Sequence, residues 1–461
     1  MDRKAHKRTG LTDPGALMGT PSGSSATVSG LLQFTNRQFA ALLTGASAGS
    51  LFEYYDFFLA ATAAAIVWPK IFFPPRMDPA LALAVSISTV GLAYLARPAG
   101  AILFGHYADK IGRRNMLVWN LVLMGVASVG TAVLPSYASM GSFALVMLFV
   151  FRFLIGVGLG GETGGTLSWV AEARPNSRYR GFWISWPTAV LTLGKLVSIF
   201  VFYILAVLVS PAAFLDWGWR IAFYLGAALL VIGIIIRVKI LESPMFQQLR
   251  AKRAVLKYPA FRVIKEQGRK IFTLLWLNAY TIAIPGFIIL PYSVSYLTQI
   301  GVNETFATLS VTIGTAVAFF TILLGALISD YVGRLKVLRV GGILTIAAFF
   351  PYFWMLNTLN LIWILVAQAI LYGIDEIPNG SNCALFTESF ATKYRASGAG
   401  LTYQLSSFVT GVVIAFVLPS LLLAYGIVGA WQPIIWVSIG MTVMSLAASF
   451  FVKETRGVAL E

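Results

Sequence analysis

Residues that bind metals through sulfur or imidazole are scarce in this sequence. Its 461 residues include one cysteine, Cys383, and two histidines, His6 and His106. A single cysteine excludes an internal disulfide and a cysteine-based metal cluster, and two histidines argue against a histidine-rich site. We therefore predict no metal site and no cofactor.

Charge is scarce as well. Only 11% of the residues are charged while 58% are hydrophobic, and the mean hydropathy is +0.80. A soluble chain of this length would need a charged surface, so the composition excludes an ordinary soluble protein. About twelve apolar segments between residues 38 and 452 are long enough to cross a bilayer, which takes roughly 20 residues. Such segments must be helical, because lipid offers no partner to an unpaired backbone group.

A nucleotide-binding loop is also missing. The sequence has no Walker lysine phrase, which argues against transport or catalysis driven by ATP. The run GVGLGG at residues 156–161 superficially resembles a phosphate loop, but it lies inside an apolar helix with no strand before it. We interpret these glycines as a site of close helix packing.

The basic residues are unevenly distributed along the chain. The formal net charge is +16, and most of the 34 lysines and arginines fall in the tails and in the even-numbered loops between predicted spans. Lys70, Arg76 and Arg220 lie on the opposite side. The positive-inside rule then places both termini in the cytoplasm. The charge predicts contact with anionic lipid headgroups and not with nucleic acid.

The longest polar stretch between spans divides the chain into six segments plus six. We predict five regions, which are 1–37 as a disordered cytoplasmic tail, 38–241 as one six-helix lobe, 242–270 as a cytoplasmic linker, 271–452 as a second six-helix lobe, and 453–461 as a cytoplasmic tail.

Two phrases occur once in each half. GHYADKIGRR at Gly105–Arg114 is echoed by GALISDYVGRL at Gly325–Leu335, and EARPNSRYRG at Glu172–Gly181 is echoed by ESFATKYRASG at Glu388–Gly398. Two echoes at corresponding positions indicate a duplicated six-helix unit. Duplicated membrane halves are typical of transporters that alternate access around a central site.

With these phrases the chain resembles the major facilitator superfamily and, within it, the metabolite:proton symporter group. The motifs that carry the resemblance are FEYYDF (52–57), KIFFP (70–74), ARPAGAILFGHYADKIGRR (96–114) and RFLIGVGLGGE (152–162). The resemblance implies an all-α integral membrane protein with twelve helices in two pseudo-symmetric lobes. It also implies a monomer in the plasma membrane that imports small metabolites with protons. Lys195 and the pair Asp375–Glu376 are not features we expect of this group.

The repeated phrases predict ion pairs that close the cytoplasmic side in one state and break in the other. A carboxylate there can cap a facing helix and pair with arginine, although surface ion pairs alone contribute only about 0–1 kcal/mol each. The predicted gate residues are Gly105, Asp109, Arg113, Arg114, Glu172, Arg180, Asp330, Arg334, Glu388 and Arg395.

Two acids on the first predicted helix are candidates for proton coupling. Glu53 and Asp56 are three residues apart and share a helix face, and Arg152 lies on the fourth predicted helix. Burial and a neighbouring carboxylate both favour the protonated form, which a proton carrier requires. The alternative is a structural ion pair with Arg97 or Arg152.

Charged residues near the bilayer centre are candidates for substrate binding. Arg97 precedes Pro98, and Lys195 lies too deep in its span to reach either surface, so each needs a carboxylate, a freed carbonyl or a cavity. The run GIDEIPNG at 373–380 contains Asp375 and Glu376 together with a proline and two glycines. We interpret it as a broken helix near the midplane. Tyr280, Tyr292 and Gln404 are further candidate lining groups.

The sequence therefore predicts a secondary transporter that couples a proton to the symport of a small polar metabolite, with a carboxylate as the first choice. The alternatives are a sugar, zwitterion or cation transporter of the same fold, or a membrane sensor that does not transport. An enzyme is excluded, because no nucleophile–base set or metal cluster is evident at membrane depth.

Overall fold

The computed structural model describes residues 35–111, 113–161, 163–239, 259–284, 292–458 and 460, and every regular element in them is helical. The main helices are α1 (Asn36–Ile66), α2 (Pro79–Ile111), α3 (Arg113–Val133), α4 (Ser142–Leu159), α5 (Thr163–Ala173), α6 (Arg180–Leu208), α7 (Trp219–Lys239), α8 (Pro259–Ala283), α9 (Ser293–Gln299), α10 (Glu304–Val332), α11 (Arg334–Asn357), α12 (Leu361–Glu388), α13 (Thr392–Val412), α14 (Leu418–Gly429) and α15 (Trp431–Ser449).

These helices form the predicted twelve-span membrane fold. Among the described residues, nine helices are long and apolar enough to cross a membrane, and the stretch Val118–Val133 is a shorter apolar helix. Helix α1 and the consecutive helices α8 and α9 supply the remaining two spans. One span, Ser397–Gly429, is assembled from consecutive pieces, because α14 continues α13 through the π-helical turn Val413–Val417. The prediction of an all-α membrane protein with two six-helix lobes is confirmed.

The predicted break in the tenth span is wrong. Helix α12 runs without interruption from Leu361 to Glu388 and carries Pro378 inside it. Gly380 permits close packing of α12 on α10 instead, because a β-carbon at this position would collide with the carbonyl oxygen of Ile322 on α10. A proline is tolerated within a membrane helix when neighbouring helices support it.

The most extensive contacts between the two lobes involve two pairs of helices. Helix α6 of the first lobe packs against α10 of the second, and α2 of the first lobe packs against α13 of the second. Both helix pairs therefore bring side chains from the two lobes into one central layer.

Close packing of α4 on α2 fixes the position of the candidate arginine on α2. A β-carbon at Gly156 would collide with the carbonyl oxygen of Ala93, and one at Gly160 would collide with that of Arg97. Only glycine permits this approach of two helix backbones.

The face where α1 begins also holds the C-terminal segment after α15, and we call it the terminal face; the opposite one is the distal face. Arg174 Nη2 donates to Asn36 Oδ1 at 2.6 Å, and Arg180 Nη2 donates to the carbonyl oxygen of Val458 at 3.0 Å. The predicted linker 242–270 lies partly outside the described residues, and its described part begins with α8 at Pro259.

Candidate functional site

The first polar cluster lies inside the first lobe, on the distal side of the midpoint of its helices. Asp56 on α1 is fully buried and accepts a hydrogen bond from Ser128 Oγ on α3. Arg152 Nη1 on α4 lies 3.9 Å from Asp56 Oδ2, and Arg152 Nη2 donates to Thr131 Oγ1 at 2.8 Å. The acid thus has one hydroxyl donor and one loosely placed cation.

Aromatic rings close this cluster. The Arg152 guanidinium lies 5.4 Å from the ring of Trp68 and 6.0 Å from that of Phe223, and its side chain is 1% exposed. Aromatic faces stabilise a cation without hydrating it. The side chain of Glu53, the second proton-coupling candidate, lies outside the described residues.

A second cluster surrounds Arg97 on α2. Its guanidinium carbon lies 4.4 Å from the ring of Tyr94, 4.9 Å from Phe57 and 6.0 Å from Tyr54. The Tyr54 hydroxyl in turn lies 2.9 Å from the hydroxyl of Tyr403 in the second lobe.

Arg97 lacks an anionic partner within the described part of the chain. Arg97 is 2% exposed, and its Nη1 donates a hydrogen bond to Ser407 Oγ of α13 at 3.3 Å. Nε and Nη2 are buried without a hydrogen-bond partner. Two adjacent N–H donors of a guanidinium match the two oxygens of a carboxylate. The geometry therefore leaves an anion-binding fork at the boundary between the lobes.

The third cluster joins α6 to α12 across the lobes. Lys195 Nζ lies 4.4 Å from the ring of Tyr372 and 5.1 Å from that of Phe58. Its charge interacts with the carboxylates of Glu376 and Asp375. The structure thus brings together Lys195, Asp375 and Glu376, which the sequence analysis treated as separate candidates for substrate binding.

The two acids of this cluster differ in their partners. Glu376 accepts a hydrogen bond from Asn379 Nδ2 at 2.7 Å. Asp375 is 0% exposed, and among the described residues neither of its oxygens has a hydrogen-bond donor. A buried carboxylate without a donor is costly and marks a site that another group completes.

The remaining candidate lining residues lie in different places. Tyr280 on α8 is buried close enough to interact with Asp375 and Glu376. Gln404 Nε2 donates to the Leu159 carbonyl oxygen at 3.4 Å, linking α13 to the end of α4. Tyr292 lies away from this centre, where its hydroxyl donates to the Ile427 carbonyl oxygen at 2.8 Å.

At the terminal face, Asp330 at the end of α10 caps the start of α6 in the other lobe. Its two carboxylate oxygens accept from the backbone N–H groups of Gly181 and Phe182, each at 2.9 Å. Arg334 Nη1 holds the same carboxylate at 2.6 Å. A side chain at Gly181 would meet both charged groups, so the cap requires glycine there.

Glu388 at the end of α12 joins the two lobes at the same face. Its Oε1 lies 2.8 Å from Arg180 Nη2 of the first lobe and 3.0 Å from Arg334 Nη2 of the second. A parallel pair joins Arg395 of α13 to Glu172 of α5, with 3.1 Å between Arg395 Nη1 and Glu172 Oε1. Among the gate residues of the first repeated phrase, the surroundings of Gly105 and the side chains of Asp109, Arg113 and Arg114 lie outside what the structure describes.

The C-terminal segment reinforces this network. Glu454 accepts from the backbone N–H groups of Arg334 and Leu335 at 2.9 and 3.0 Å, and Thr455 Oγ1 donates to Glu388 Oε2 at 2.6 Å. Partial burial raises the pKa of Glu454, but the backbone donors outweigh it, so the pKa lies below its ordinary value. At the distal face, Lys70 Nζ lies 3.2 Å from Glu304 Oε2 of the other lobe.

The sequence-based prediction overlooked several partners of the candidate charges. Tyr94 precedes Arg97 by one helical turn, and Ser407 follows Tyr403 by one turn. Spacing alone therefore shows only that the two residues of each pair are neighbours on the same helix. Ser128 and Thr131 on α3 are three residues apart, as Tyr94 and Arg97 are on α2. Their roles depend on contacts with other helices, which spacing does not reveal.

Comparison with known proteins identifies the family of this chain. The family model described as sugar (and other) transporter matches residues 41–271. The inner membrane metabolite transport protein YhjE of Escherichia coli is 31% identical over 91% of this chain and 95% of its own length. The citrate-proton symporter of Klebsiella pneumoniae is 27% identical over 98% of both chains.

A solved structure shows the same fold. The proton:xylose symporter XylE superposes with a TM-score of 0.72 at 18% identity, covering 93% of this chain and 98% of XylE. In the described residues no group of three metal-binding side chains occurs. The chain belongs to the sugar and other transporter family, and within the major facilitator superfamily it is a multi-pass plasma-membrane transporter of the metabolite:proton symporter group.

Proposed function

We propose that this protein couples the inward movement of protons to the symport of a small polar metabolite that carries a carboxylate. The observation that carries the coupling is Asp56, a fully buried acid whose neighbouring cation Arg152 stands at 3.9 Å. A buried acid that can exchange a nearby arginine for a proton is suited to coupling. The similarity of this chain to the citrate-proton symporter of Klebsiella pneumoniae supports both parts of the proposal.

The proposed coupling residues are Asp56 and Arg152, with Glu53 kept as a candidate. When Asp56 is protonated, the attraction to Arg152 is lost and the packing of α1 on α4 weakens. When it is ionised, the pair is restored. The first lobe would thus have two arrangements that differ by one proton.

Arg97 is the proposed anchor for the substrate carboxylate. Its fork of Nε and Nη2 is buried without a partner and sits where α2 meets α13 of the other lobe. Lys195, Tyr280, Asp375, Glu376 and Gln404 are the other proposed lining residues, and Tyr292 is the weakest candidate because of its distance from this cluster.

The terminal face is proposed to be the cytoplasmic side, with both termini in the cytoplasm, as the distribution of Lys and Arg predicts. Pairs between the lobes exist at both faces, at Glu388 on one and at Lys70 on the other. Alternating access requires that one set breaks while the other holds. We propose that the protein performs this cycle as a monomer, with no cofactor other than the proton.

The test uses purified protein in liposomes with an inward acid gradient and a trapped pH dye. Adding carboxylates, zwitterions, sugars and cations in turn should acidify the interior with a carboxylate-bearing compound. Asp56→Asn should abolish this acidification while exchange of the same compound without a gradient persists. Gradient-independent uptake by the wild type, or unchanged coupling in Asp56→Asn, would refute proton symport through this residue.

A further inference from the structure

A crevice of about 240 Å³ opens between α11 and α12 on the side of the second lobe. Leu344 and Ile370 at its rim are exposed, whereas Ala348 and Ala367 at its floor are buried. Apart from Tyr352, every residue that lines it is apolar. The rim continues the exposed apolar surface that faces lipid in this membrane protein, so the crevice is filled from the bilayer and not from water.

The sequence explains why the two helices leave a gap here. Ala347 and Ala348 on α11 face Ala367 on α12, so only small side chains are available at this level. Pro351 lacks the backbone N–H that would bond to the carbonyl oxygen of Ala347, which weakens α11 at the same place. The atoms that line a gap lose dispersion contacts until an apolar group fills it.

The length and depth of the crevice match one acyl chain in one leaflet. Along α11 it extends from Leu344 to Met355, which is about 17 Å at 1.5 Å per residue. One leaflet contributes half of the hydrocarbon core, or about 15 Å. Since α11 begins with Arg334 at the terminal face and ends at Asn357, the crevice lies in the distal half of this span.

Two tryptophans lie at the distal end of the crevice. Trp354 on α11 and Trp363 on α12 are exposed, and their ring centroids are 6.3 Å apart. Tryptophan is enriched at the membrane–water interface, where its ring lies at the level of the headgroups. A phospholipid of the distal leaflet whose headgroup lies beside these rings directs one chain along α11 into the crevice.

We propose that this crevice is a binding site for one acyl chain of a distal-leaflet phospholipid. The chain packs on the ring of Tyr352, whose hydroxyl donates to Gln368 Oε1 at 3.3 Å. Gln368 Nε2 donates in turn to Ser310 Oγ of α10 at 3.4 Å and to Ser293 Oγ of α9 at 3.5 Å. The bound chain therefore stabilises a buried polar network that joins four helices of the second lobe.

Gln368 corresponds in position to Arg152 of the first lobe. Glu172 and Glu388 begin the second pair of repeated phrases, and Arg152 and Gln368 each precede the corresponding glutamate by 20 residues. The first lobe thus has an ion pair at this position, whereas the second lobe has neutral hydrogen bonds beside an acyl-chain site. The inference does not rest on proton coupling or on the substrate, because it depends only on the crevice and on the contacts of Tyr352.

The test uses the full chain in liposomes that contain phosphatidylcholine with a diazirine halfway along one acyl chain. After irradiation and proteolysis, mass spectrometry locates the attachment sites. The reference is residues 126–133 of α3, a stretch with exposed valines on the third helix of the first lobe. In the wild type, labelling of residues 344–355 and 367–374 should exceed labelling of this reference by about five- to tenfold. Equal labelling of the two stretches would overturn the proposal.

A matched pair of variants places the site on the crevice itself. Ala347→Phe fills it from the exposed rim and should lower the labelling of residues 344–355 by about threefold or more. Ile343→Phe, one turn earlier on the lipid-facing side of α11, should leave the labelling unchanged. Unchanged labelling in Ala347→Phe would contradict the assignment, and the wild-type map alone decides the question if this variant does not fold.

Tyr352→Phe tests the link from the chain to Gln368. It keeps the ring and removes the hydroxyl, so it should be labelled like the wild type. Phosphatidylcholine added to the protein in detergent should raise the midpoint of thermal unfolding of the wild type and of Ile343→Phe. The increase should be smaller for Ala347→Phe and for Tyr352→Phe. An equal increase in Tyr352→Phe would show that the chain does not act through the hydroxyl of Tyr352.

Discussion

The buried acids at the centres of the two lobes have different surroundings. Asp56 in the first lobe has a hydroxyl donor from Ser128 and the guanidinium of Arg152 at 3.9 Å. Asp375 in the second lobe has no hydrogen-bond donor among the described residues and interacts with the charges of Glu376 and Lys195. The first acid has a hydroxyl donor and a cation within its own lobe, whereas the second has no hydrogen-bond donor in the described part of either lobe. The two lobes therefore share a helical framework but differ in the surroundings of these buried acids.

The largest expected effect comes from removing the cation beside Asp56. Arg152→Gln leaves Asp56 buried without its cation, so the free energy of unfolding should fall by about 3–5 kcal/mol. Asp375→Asn should leave stability unchanged or higher, because it removes a buried charge that has no hydrogen-bond donor among the described residues. Thermal unfolding in detergent measures both variants.

The double variant Arg152→Gln with Asp56→Asn is the control for that comparison. Removing the acid together with its partner should restore most of the lost stability. If Arg152→Gln unfolds like the wild type, the pair contributes little and the contrast between the two lobes is not supported.

An intermediate effect is expected at the terminal face. Arg334→Gln removes the residue that holds both Asp330 and Glu388, so the state that is open at this face should become more populated by about a hundredfold. Labelling of a cysteine introduced near Val458, in a background lacking Cys383, reports that opening. Unchanged labelling would show that the network does not latch this face.

The smallest effect is expected at the distal face. Lys70 and Glu304 are 49% and 35% exposed, so solvent screens their attraction and the pair is worth under about 1 kcal/mol. Lys70→Gln should raise labelling at the distal face less than fivefold, and added salt should reduce the difference. The exchange Lys70→Glu with Glu304→Lys should restore the wild-type value. A larger effect than at Arg334 would reverse our ranking of the two faces.

Several features of the fold could be predicted because each has a local cause. The apolar segments require helices in lipid, and the repeated phrases required two related lobes. The predicted break at 373–380 failed because Pro378 and Gly380 are compatible with a continuous helix once α10 packs against it. Local composition identified the weak point, but the neighbouring helix decided its conformation.

The candidate site was predictable as a set of residues but not as an arrangement. A charged residue inside a membrane span is costly in hydrocarbon and therefore marks a candidate functional site. On that ground the sequence alone identified Asp56, Arg97, Lys195 and Asp375 as candidates. Their partners were not, because Ser128, Ser407 and Asn379 are ordinary polar residues whose importance depends on contacts.

By itself the sequence determined that this chain is a membrane protein of two related six-helix halves with charged residues inside them, since hydropathy and repetition are properties of the chain alone. Only the tertiary structure decided which of those charges are matched. Adjacent residues such as Asp375 and Glu376 point about 100° apart on a helix. Asn379, one turn along α12, gives Glu376 a hydrogen-bond donor, whereas within the described residues no helix packed against α12 gives one to Asp375.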